Sequence, residues 1–164
     1  MKVEHSLVST HDLKNELSSR YNFVEQPEVA YMHQGFHDSY LVVDGLSKYM
    51  FWLYRHNWKS LEDIIGEIKL LTLLNDKNIS AHYPISDSEG VYAHSIVCPE
   101  GIRHYVLFNF APGKVLKALN PETAQSFGVQ LAKIHDTTVN LHTDELSRSY
   151  LPLHIISSTR EVLH

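Results

Sequence analysis

The chain is 164 residues long, 43% hydrophobic and 20% charged, which is ordinary for a globular protein of one domain, or of one small lobe and part of another. Its formal net charge of −5 comes with no cluster of basic residues, so we expect no nucleic-acid partner. The single cysteine, Cys98, excludes an internal disulfide, and no apolar run approaches the ~20 residues of a membrane span. The amino terminus lacks the apolar core of a secretory signal, so we expect a cytoplasmic protein without a membrane partner.

The chain contains twelve histidines, which raises the question of a metal site. Only His33 and His37 have the i, i+4 spacing of helical metal ligands, and Gly35 between them makes a helix improbable there. We therefore expect no structural metal site.

The first part of the chain predicts a short helix followed by antiparallel strands. Ser9 or Thr10 can cap the helix, one turn is centred on Gly35, and Asp44-Gly45 is a strong hairpin signal. The predicted elements are a helix over 11–21 and strands over 28–33, 39–43 and 49–55.

The segment after the third strand predicts an amphipathic helix that ends near Asn75. Ser60 and Asp63 have the spacing of a capping box. Apolar residues then recur at helical spacing: Leu61, Ile64, Ile65, Ile68, Leu71 and Leu74. One acid, Glu67, lies at the border of this stripe. From the pattern alone it could face solvent or meet a cation presented by the sheet.

The second half of the chain predicts two further strands and a second long helix. An extended connection runs over 82–85, and strands are expected over 91–97 and 104–110 before a break at 111–113. Asn120 and Pro121 then begin a helix that ends near His135. Residues 150–164 are compatible with the start of another helix.

The chain resembles the aminoglycoside-phosphotransferase-like kinases over roughly residues 25–160, in three segments: GFHDSYLVVDGLSKYMFWLYRHNWKSLEDIIGEIKLLTLL, VCPEGIRHYVLFNFAPG and FGVQLAKIH. Within that superfamily it looks most like the stress-response Ser/Thr kinases, also called RdoA, which are grouped with homoserine kinase type II. The resemblance implies an α+β fold. Residues 1–111 would form a protein-kinase-like N-terminal lobe, with a five-stranded antiparallel sheet and one inserted helix. Residues 112–164 would form the hinge and the first helices of a C-terminal lobe.

The same resemblance implies ATP and Mg²⁺ for the full-length enzyme and assigns roles by position. In such kinases the turn between the first two strands covers the phosphates, and an acid on the inserted helix pairs with the cation that binds them. The hinge presents backbone groups to the adenine edge. The nucleotide-binding residues implied here are Gly35, Asp38 and Ser39 in the turn, the acid Glu67, and Phe108, Asn109 and Ala111 in the hinge.

The sequence departs from the family pattern at the strand-three cation, where Trp52 replaces Arg or Lys. Lys48 is on the same strand face but about 13 Å away at ~3.3 Å per residue. Arg55 has an odd offset and faces the opposite side. Glu67 is therefore expected to turn to solvent or to meet one of these residues or another base by a different path. Nucleotide binding by this chain is expected to be weak or absent.

A second departure concerns the catalytic loop. The family carries an H-x-D loop with a following Asn, and a later Asp for Mg²⁺. No segment after His135 supplies these motifs in full, so we expect the catalytic half to lie outside these residues and the isolated chain to be inactive. The apolar surface that would meet the missing half is then expected to be exposed around Phe110, Leu116, Phe127 and 150–156. The chain would therefore associate with a missing lobe or with itself.

Three functions are compatible with the sequence. The first is the N-terminal part of a kinase that phosphorylates a hydroxyl group of a small molecule or a protein Ser/Thr. The second is a non-catalytic kinase-like module that binds a protein, and the third is an unrelated α+β binding domain.

Overall fold

The computed structural model describes residues 2–111, 113 and 120–141. Three helices and six strands occur in these ranges, and the expected α+β architecture with an antiparallel sheet is confirmed. In chain order they are α1 (Thr10–Arg20), β1 (Glu28–Gln34), β2 (His37–Asp44), β3 (Ser47–Tyr54), α2 (Leu61–Asp76), β4 (Pro84–Ile85), β5 (Ala93–Cys98), β6 (Gly101–Asn109) and α3 (Pro121–Thr138).

The sheet has the order β1-β2-β3-β6-β4, and β5 also pairs with β6. Every pairing is antiparallel, as predicted. The strand β4 was expected to be only an extended connection. Its two residues pair with Leu107 and Phe108 of β6 and add a sixth short strand.

The two faces of the sheet carry different cores. On what we call the α1 face, Phe51 and Leu53 of β3 are buried against α1 residues such as Leu13 and Leu17. On the α2 face, alternate residues of β3 pack against α2. The buried residues of this second core are Tyr54, Ile64, Ile68, Leu71, Leu74, Ile79, Val106 and Phe108.

Helix α2 begins where its capping box predicts. The side chain of Ser60 accepts a hydrogen bond from the backbone N–H of Asp63 at 3.1 Å, and the Asp63 carboxylate accepts one from the backbone N–H of Ser60 at 3.2 Å. This cap fixes the register of the helix, so its apolar stripe faces the sheet.

Helix α3 is capped by Asn120 and begins at Pro121. Ile134 packs against the α2-face core, whereas Phe127, Val129 and Leu131 are exposed. Exposed apolar surface was expected at Phe110 and Phe127, and both are exposed; the other expected parts, Leu116 and 150–156, lie outside the described residues. In the ranges that the structure covers, no helix has the length and apolar character needed to cross a bilayer.

Candidate functional site

Trp52 is the centre of a group of packed aromatic side chains on the α2 face. It stands at the position of β3 where the resemblance to the kinases predicts a cation. Its indole stacks on His37 with ring centroids 4.1 Å apart and planes 23° apart. It also contacts His82 and Phe108, at centroid distances of 4.8 Å and 4.6 Å. Neutral rings therefore fill this part of the sheet face.

Glu67 points back to the sheet from α2 and meets a cation there. The ammonium of Lys59 lies 2.8 Å from its Oε2 atom, and the Tyr54 hydroxyl donates a hydrogen bond to the same oxygen at 2.9 Å. Lys59 also lies 5.2 Å from the centroid of the Tyr54 ring. The partner of Glu67 is thus neither Lys48 nor Arg55.

Lys59 reaches this position from the connection between β3 and α2. Asn57 adopts a left-handed backbone conformation with φ of 56°, and the backbone N–H of Trp58 donates to the carbonyl of Arg55 at 3.2 Å. This turn directs the Lys59 side chain back over the sheet, where only 11% of it is exposed.

The sequence reasoning considered cations on the strand and missed Lys59. A usable signal was present, because Lys59 directly precedes the cap Ser60. A side chain at this position typically packs over the fourth helical residue, here Ile64. Glu67 lies three residues further on, within reach of a lysine stem.

The turn between β1 and β2 contacts the connection between β3 and α2. Phe36, at the tip of the turn, stacks on Trp58 with ring centroids 5.4 Å apart and planes 17° apart. Gly35 beside it has no positive φ, and a Cβ atom there would meet the His33 ring at 3.5 Å and the His37 carbonyl at 3.9 Å, both ordinary van der Waals contacts. Its backbone conformation therefore does not require glycine.

Asp38 and Ser39 were predicted to lie in the turn, but both belong to β2, where they lie on opposite faces of the sheet. Ser39 pairs with Trp52 and lies on the α2 face. The Asp38 side chain is fully buried on the α1 face, where its Oδ2 atom lies 2.7 Å from the Arg103 guanidinium. The structure thus places the Asp38 carboxylate apart from Glu67, since neighbouring strand residues point to opposite sides.

The predicted hinge begins at the other end of the α2 face. Phe108 is buried in the aromatic stack. The Asn109 side-chain oxygen accepts a hydrogen bond from the backbone N–H of Tyr83 at 2.6 Å, and its own N–H donates to the Tyr83 carbonyl at 3.0 Å. Asn109 thus hydrogen-bonds the end of β6 to the segment before β4. Ala111, two residues after Asn109, is exposed.

Two histidines flank the Lys59–Glu67 pair. Burial lowers the pKa of His37; the Glu67 carboxylate opposes this shift and Lys59 adds to it. Burial likewise lowers the pKa of His82, and Glu67 opposes the shift. The His82 Nε2 atom is buried without a hydrogen-bond partner among the described residues. Burial thus favours the neutral form of both imidazoles, and the ammonium that contacts Glu67 is that of Lys59.

The described residues do not form a Mg²⁺ site. No group of three or more His, Cys, Asp or Glu side chains within 2–111, 113 and 120–141 could hold a metal ion. Glu67, the acid of the candidate site, already contacts Lys59 and Tyr54. We therefore derive no step through Mg²⁺.

A groove of about 590 Å³ lies outside the candidate site, between α2 and the segment that leads into β5. Its lining is mostly apolar and includes Ile65, Thr72 and Tyr92, but none of the residues of the candidate site. We assign no function to it.

The fold is that of known small-molecule phosphotransferases. A structure of an amicoumacin kinase with AMP-PNP and Ca²⁺ matches 82% of this chain and 41% of its own, with a TM-score of 0.71 and 21% identity. A microcompartment-associated aminopropanol kinase matches with a TM-score of 0.66 and 16% identity, over 80% of this chain and 42% of its own. A spectinomycin phosphotransferase in complex with ADP and spectinomycin matches with a TM-score of 0.63 and 16% identity, over 85% of this chain and 41% of its own.

Two bacterial proteins are similar in sequence. An uncharacterized protein of Synechocystis sp. is 30% identical over 152 residues, which are 90% of this chain and 42% of the relative. An uncharacterized protein of Deinococcus radiodurans is 25% identical over 132 residues, 80% of this chain and 38% of the relative. No family model matches. The chain spans about two fifths of the length of these relatives, and it has the fold of a kinase-like N-terminal lobe.

Proposed function

We propose that this chain is the nucleotide-binding part of an ATP-dependent phosphotransferase of the aminoglycoside-phosphotransferase-like superfamily, with a boundary near residue 111 between its N-terminal lobe and a C-terminal part. The observation that carries the proposal is the placement of the Glu67 carboxylate. Tyr54 and Lys59 hold it over the α2 face of the sheet, 2.9 Å and 2.8 Å from its Oε2 atom. An acid paired with a cation at this point is what phosphate binding in this fold uses.

The proposed nucleotide lies across the α2 face between the β1–β2 turn and the hinge. The turn with Gly35 and Ser39 would cover the phosphates, because a backbone without a Cβ atom allows close approach of an anion. The backbone after Phe108, including that of Asn109 and Ala111, would face the adenine. The carboxylate of Asp38 has no part in this proposal, since it is committed to Arg103.

The proposed acceptor is a hydroxyl group of a small molecule. The three structural neighbours, an amicoumacin kinase, an aminopropanol kinase and a spectinomycin phosphotransferase, support this class. A protein Ser/Thr remains the second acceptor class, through the resemblance to the stress-response kinases. We propose a cytoplasmic location, where ATP is available.

Nuclear magnetic resonance of the ¹⁵N-labelled chain, titrated with ATP to millimolar concentration, tests the proposal. We expect chemical-shift changes in the turn at Gly35, in the connection at Lys59, at Glu67 and near Ala111. Inorganic sulfate at the same concentration serves as the anion control and should leave the hinge signals unchanged.

Two outcomes would contradict nucleotide binding at this face. One is the absence of any shift change at millimolar ATP, which would favour the non-catalytic protein-binding module that Trp52 suggests. The other is a set of changes centred on the small cavity of about 160 Å³ near Tyr21, Tyr49 and Asp87. The chain alone is expected to produce no ADP from ATP, because its H-x-D sequence, His142-Thr143-Asp144, is followed within these residues by neither the Asn nor the later Asp of the kinase motif.

A further inference from the structure

We propose that Lys59, from the connection before α2, is the cation that binds the nucleotide phosphates in place of the missing strand residue. The inference rests on the proposed function and deepens it, because it names which side chain supplies the charge. It combines the location of the Lys59 ammonium, the occupation of the strand position by Trp52, and the attachment of the β1–β2 turn to the same connection.

The first step is that the strand position cannot supply the charge. Trp52 is stacked on His37 with ring centroids 4.1 Å apart, and it packs against Phe108 with centroids 4.6 Å apart and planes tilted by 51°. While the uncharged indole occupies position 52 and packs against these rings, β3 presents no cation at this point. The chain therefore needs a cation from another element if it is to bind phosphates at this face.

The second step is that Lys59 ends on the same face as the replaced cation. Its ammonium lies 5.2 Å from the centroid of the Tyr54 ring and 2.8 Å from the Glu67 carboxylate. Tyr54 is two residues beyond Trp52 on β3, so the two side chains share a face and stand about 7 Å apart along the strand. The acid that pairs with the family cation thus has a cation, which arrives from the connection instead of the strand.

The third step is that the phosphate-covering turn and Lys59 are mechanically joined. Phe36 in the turn stacks on Trp58, the residue directly before Lys59, at a centroid distance of 5.4 Å. The two rings contact each other although neither is buried in a core, since Phe36 is 70% exposed and Trp58 is 48% exposed. This contact joins the turn to the residue that directly precedes Lys59.

The fourth step is electrostatic. The Lys59 side chain is only 11% exposed, and the pKa of the neighbouring His37 is lowered by burial. A charge in such a partly desolvated site interacts with a phosphate more strongly than one in bulk water does. Lys48 belongs to the other end of the strand, where its ammonium lies 6.0 Å from the centroid of the Phe110 ring, beside the hinge.

The test compares ligands with and without phosphates on matched charge variants. Affinities of ADP, ATP and adenosine are measured without metal ion by nuclear magnetic resonance and by the fluorescence of the two tryptophans, both of which contact the site. The variants are Lys59→Met, Lys59→Gln, which keeps a hydrogen-bonding group toward Glu67, and Lys59→Arg, which keeps the charge. Lys77→Met, an exposed position after α2, is the control for net charge.

We expect both neutral variants of Lys59 to bind ADP and ATP about tenfold or more weakly, the effect of losing a hydrogen bond to a charged group. Their affinity for adenosine, and all affinities of Lys77→Met, should stay unchanged. Lys59→Arg should retain most of the affinity for ADP.

Three results would overturn the inference. Unchanged ADP affinity in both neutral variants would make Lys59 a purely structural partner of Glu67 and leave the proposed function standing. An equal loss for adenosine and ADP would mean that the fold of the site, not a phosphate contact, was damaged. If the unmodified chain binds none of the three ligands, both the proposed function and this inference fail.

Discussion

The guanidinium of Arg103 and the carboxylate of Asp38 form an ion pair on the α1 face, 2.7 Å apart, with both side chains entirely buried. The same guanidinium donates hydrogen bonds to the carbonyls of Tyr54 and Leu53, at 2.9 Å and 3.1 Å. Glu100 adds a second carboxylate at 3.3 Å. Asp38 thus neutralises a cation inside the sheet, directly behind the strands that carry the candidate site.

Replacement of Asp38 by Asn should destabilise the protein strongly. Removing the Asp38 carboxylate leaves the buried Arg103 charge with the more distant Glu100 carboxylate, so we expect the free energy of unfolding to fall by about 3 kcal/mol. Urea unfolding followed by circular dichroism measures this. Glu89→Gln, the same chemical change at an exposed turn position, should cost less than about 0.5 kcal/mol. Equal stability of the two variants would contradict a structural role for Asp38.

Gly35→Ala should separate stability from nucleotide binding. The backbone at Gly35 has no positive φ and a Cβ atom would meet no overlap, so we expect a change in unfolding free energy within about 0.5 kcal/mol. Affinity for ATP should fall several-fold, because the added methyl group stands where the turn approaches the phosphates. An unchanged affinity would remove Gly35 from the site.

Gly101→Ala provides the opposite case for the same measurements. Gly101 has φ of 135°, and a Cβ atom there would overlap the His56 ring. This variant should lose about 1–3 kcal/mol of stability through backbone strain and steric overlap. If it folds, its affinity for ATP should match that of the unmodified chain.

Acid should destabilise the protein through its buried histidines. Burial lowers the pKa of His82, so between its folded and unfolded pKa the unfolded state binds more protons and stability rises with pH. This contribution is complete above the unfolded value of about 6.5 and is lost as pH falls through the folded pKa. The loss of unfolding free energy between about pH 7.5 and about pH 5.5 should be smaller in His82→Gln than in the unmodified chain. His11→Gln, at an exposed position of α1, should retain the full loss, and an unaltered loss in His82→Gln would refute the assignment.

The sequence predicted the helices of the described region well because their signals are local. The capping box of Ser60 and Asp63 and the cap of Asn120 before Pro121 define the starts of α2 and α3 within a residue. The two-residue strand β4 carries no such signal. Its residues become a strand only because β6 lies beside them.

The candidate site was less predictable, because its geometry depends on tertiary structure. Asp38 and Ser39 were assigned together to the turn, but both lie in β2, where the alternation of a strand places their side chains on opposite faces. Lys59 was missed because its role depends on the turn at Asn57, whose positive φ directs the connection back over the sheet. The position in a motif therefore singled out Glu67 as a candidate site residue but did not predict that Lys59 is its cationic partner.

The exposed face of α3 should cause association at high concentration. Phe127 and Leu131, one helical turn apart, are 66% and 41% exposed, and contiguous apolar surface favours contact with another protein surface. Sedimentation velocity at increasing protein concentration should show species larger than a monomer. Phe127→Ser should reduce them, whereas Val24→Ser, at an exposed apolar residue after α1, should not. A monomer throughout the concentration series would count against self-association.

Moving the charge back to the strand should rescue a chain that has lost Lys59. In the double variant Lys59→Met with Trp52→Lys, the new ammonium would extend from β3 toward Glu67, one strand repeat from Tyr54. We expect it to regain several-fold of the ATP affinity that Lys59→Met loses, since the phosphates again meet a cation beside the acid.

The matched control is Lys59→Met with Trp52→Met. Both double variants lose the aromatic contacts of Trp52 with His37 and Phe108, so both should be destabilised by about 1–3 kcal/mol, and the ligand comparison is made at equal folded fraction. The two differ only in the charge at position 52. Both double variants could fold and bind ATP equally weakly. In that case a cation at position 52 does not replace the Lys59 ammonium in binding the phosphates, and the proposed equivalence of the two positions is wrong. A gain confined to the lysine variant, absent with adenosine, would place both cations on the phosphates.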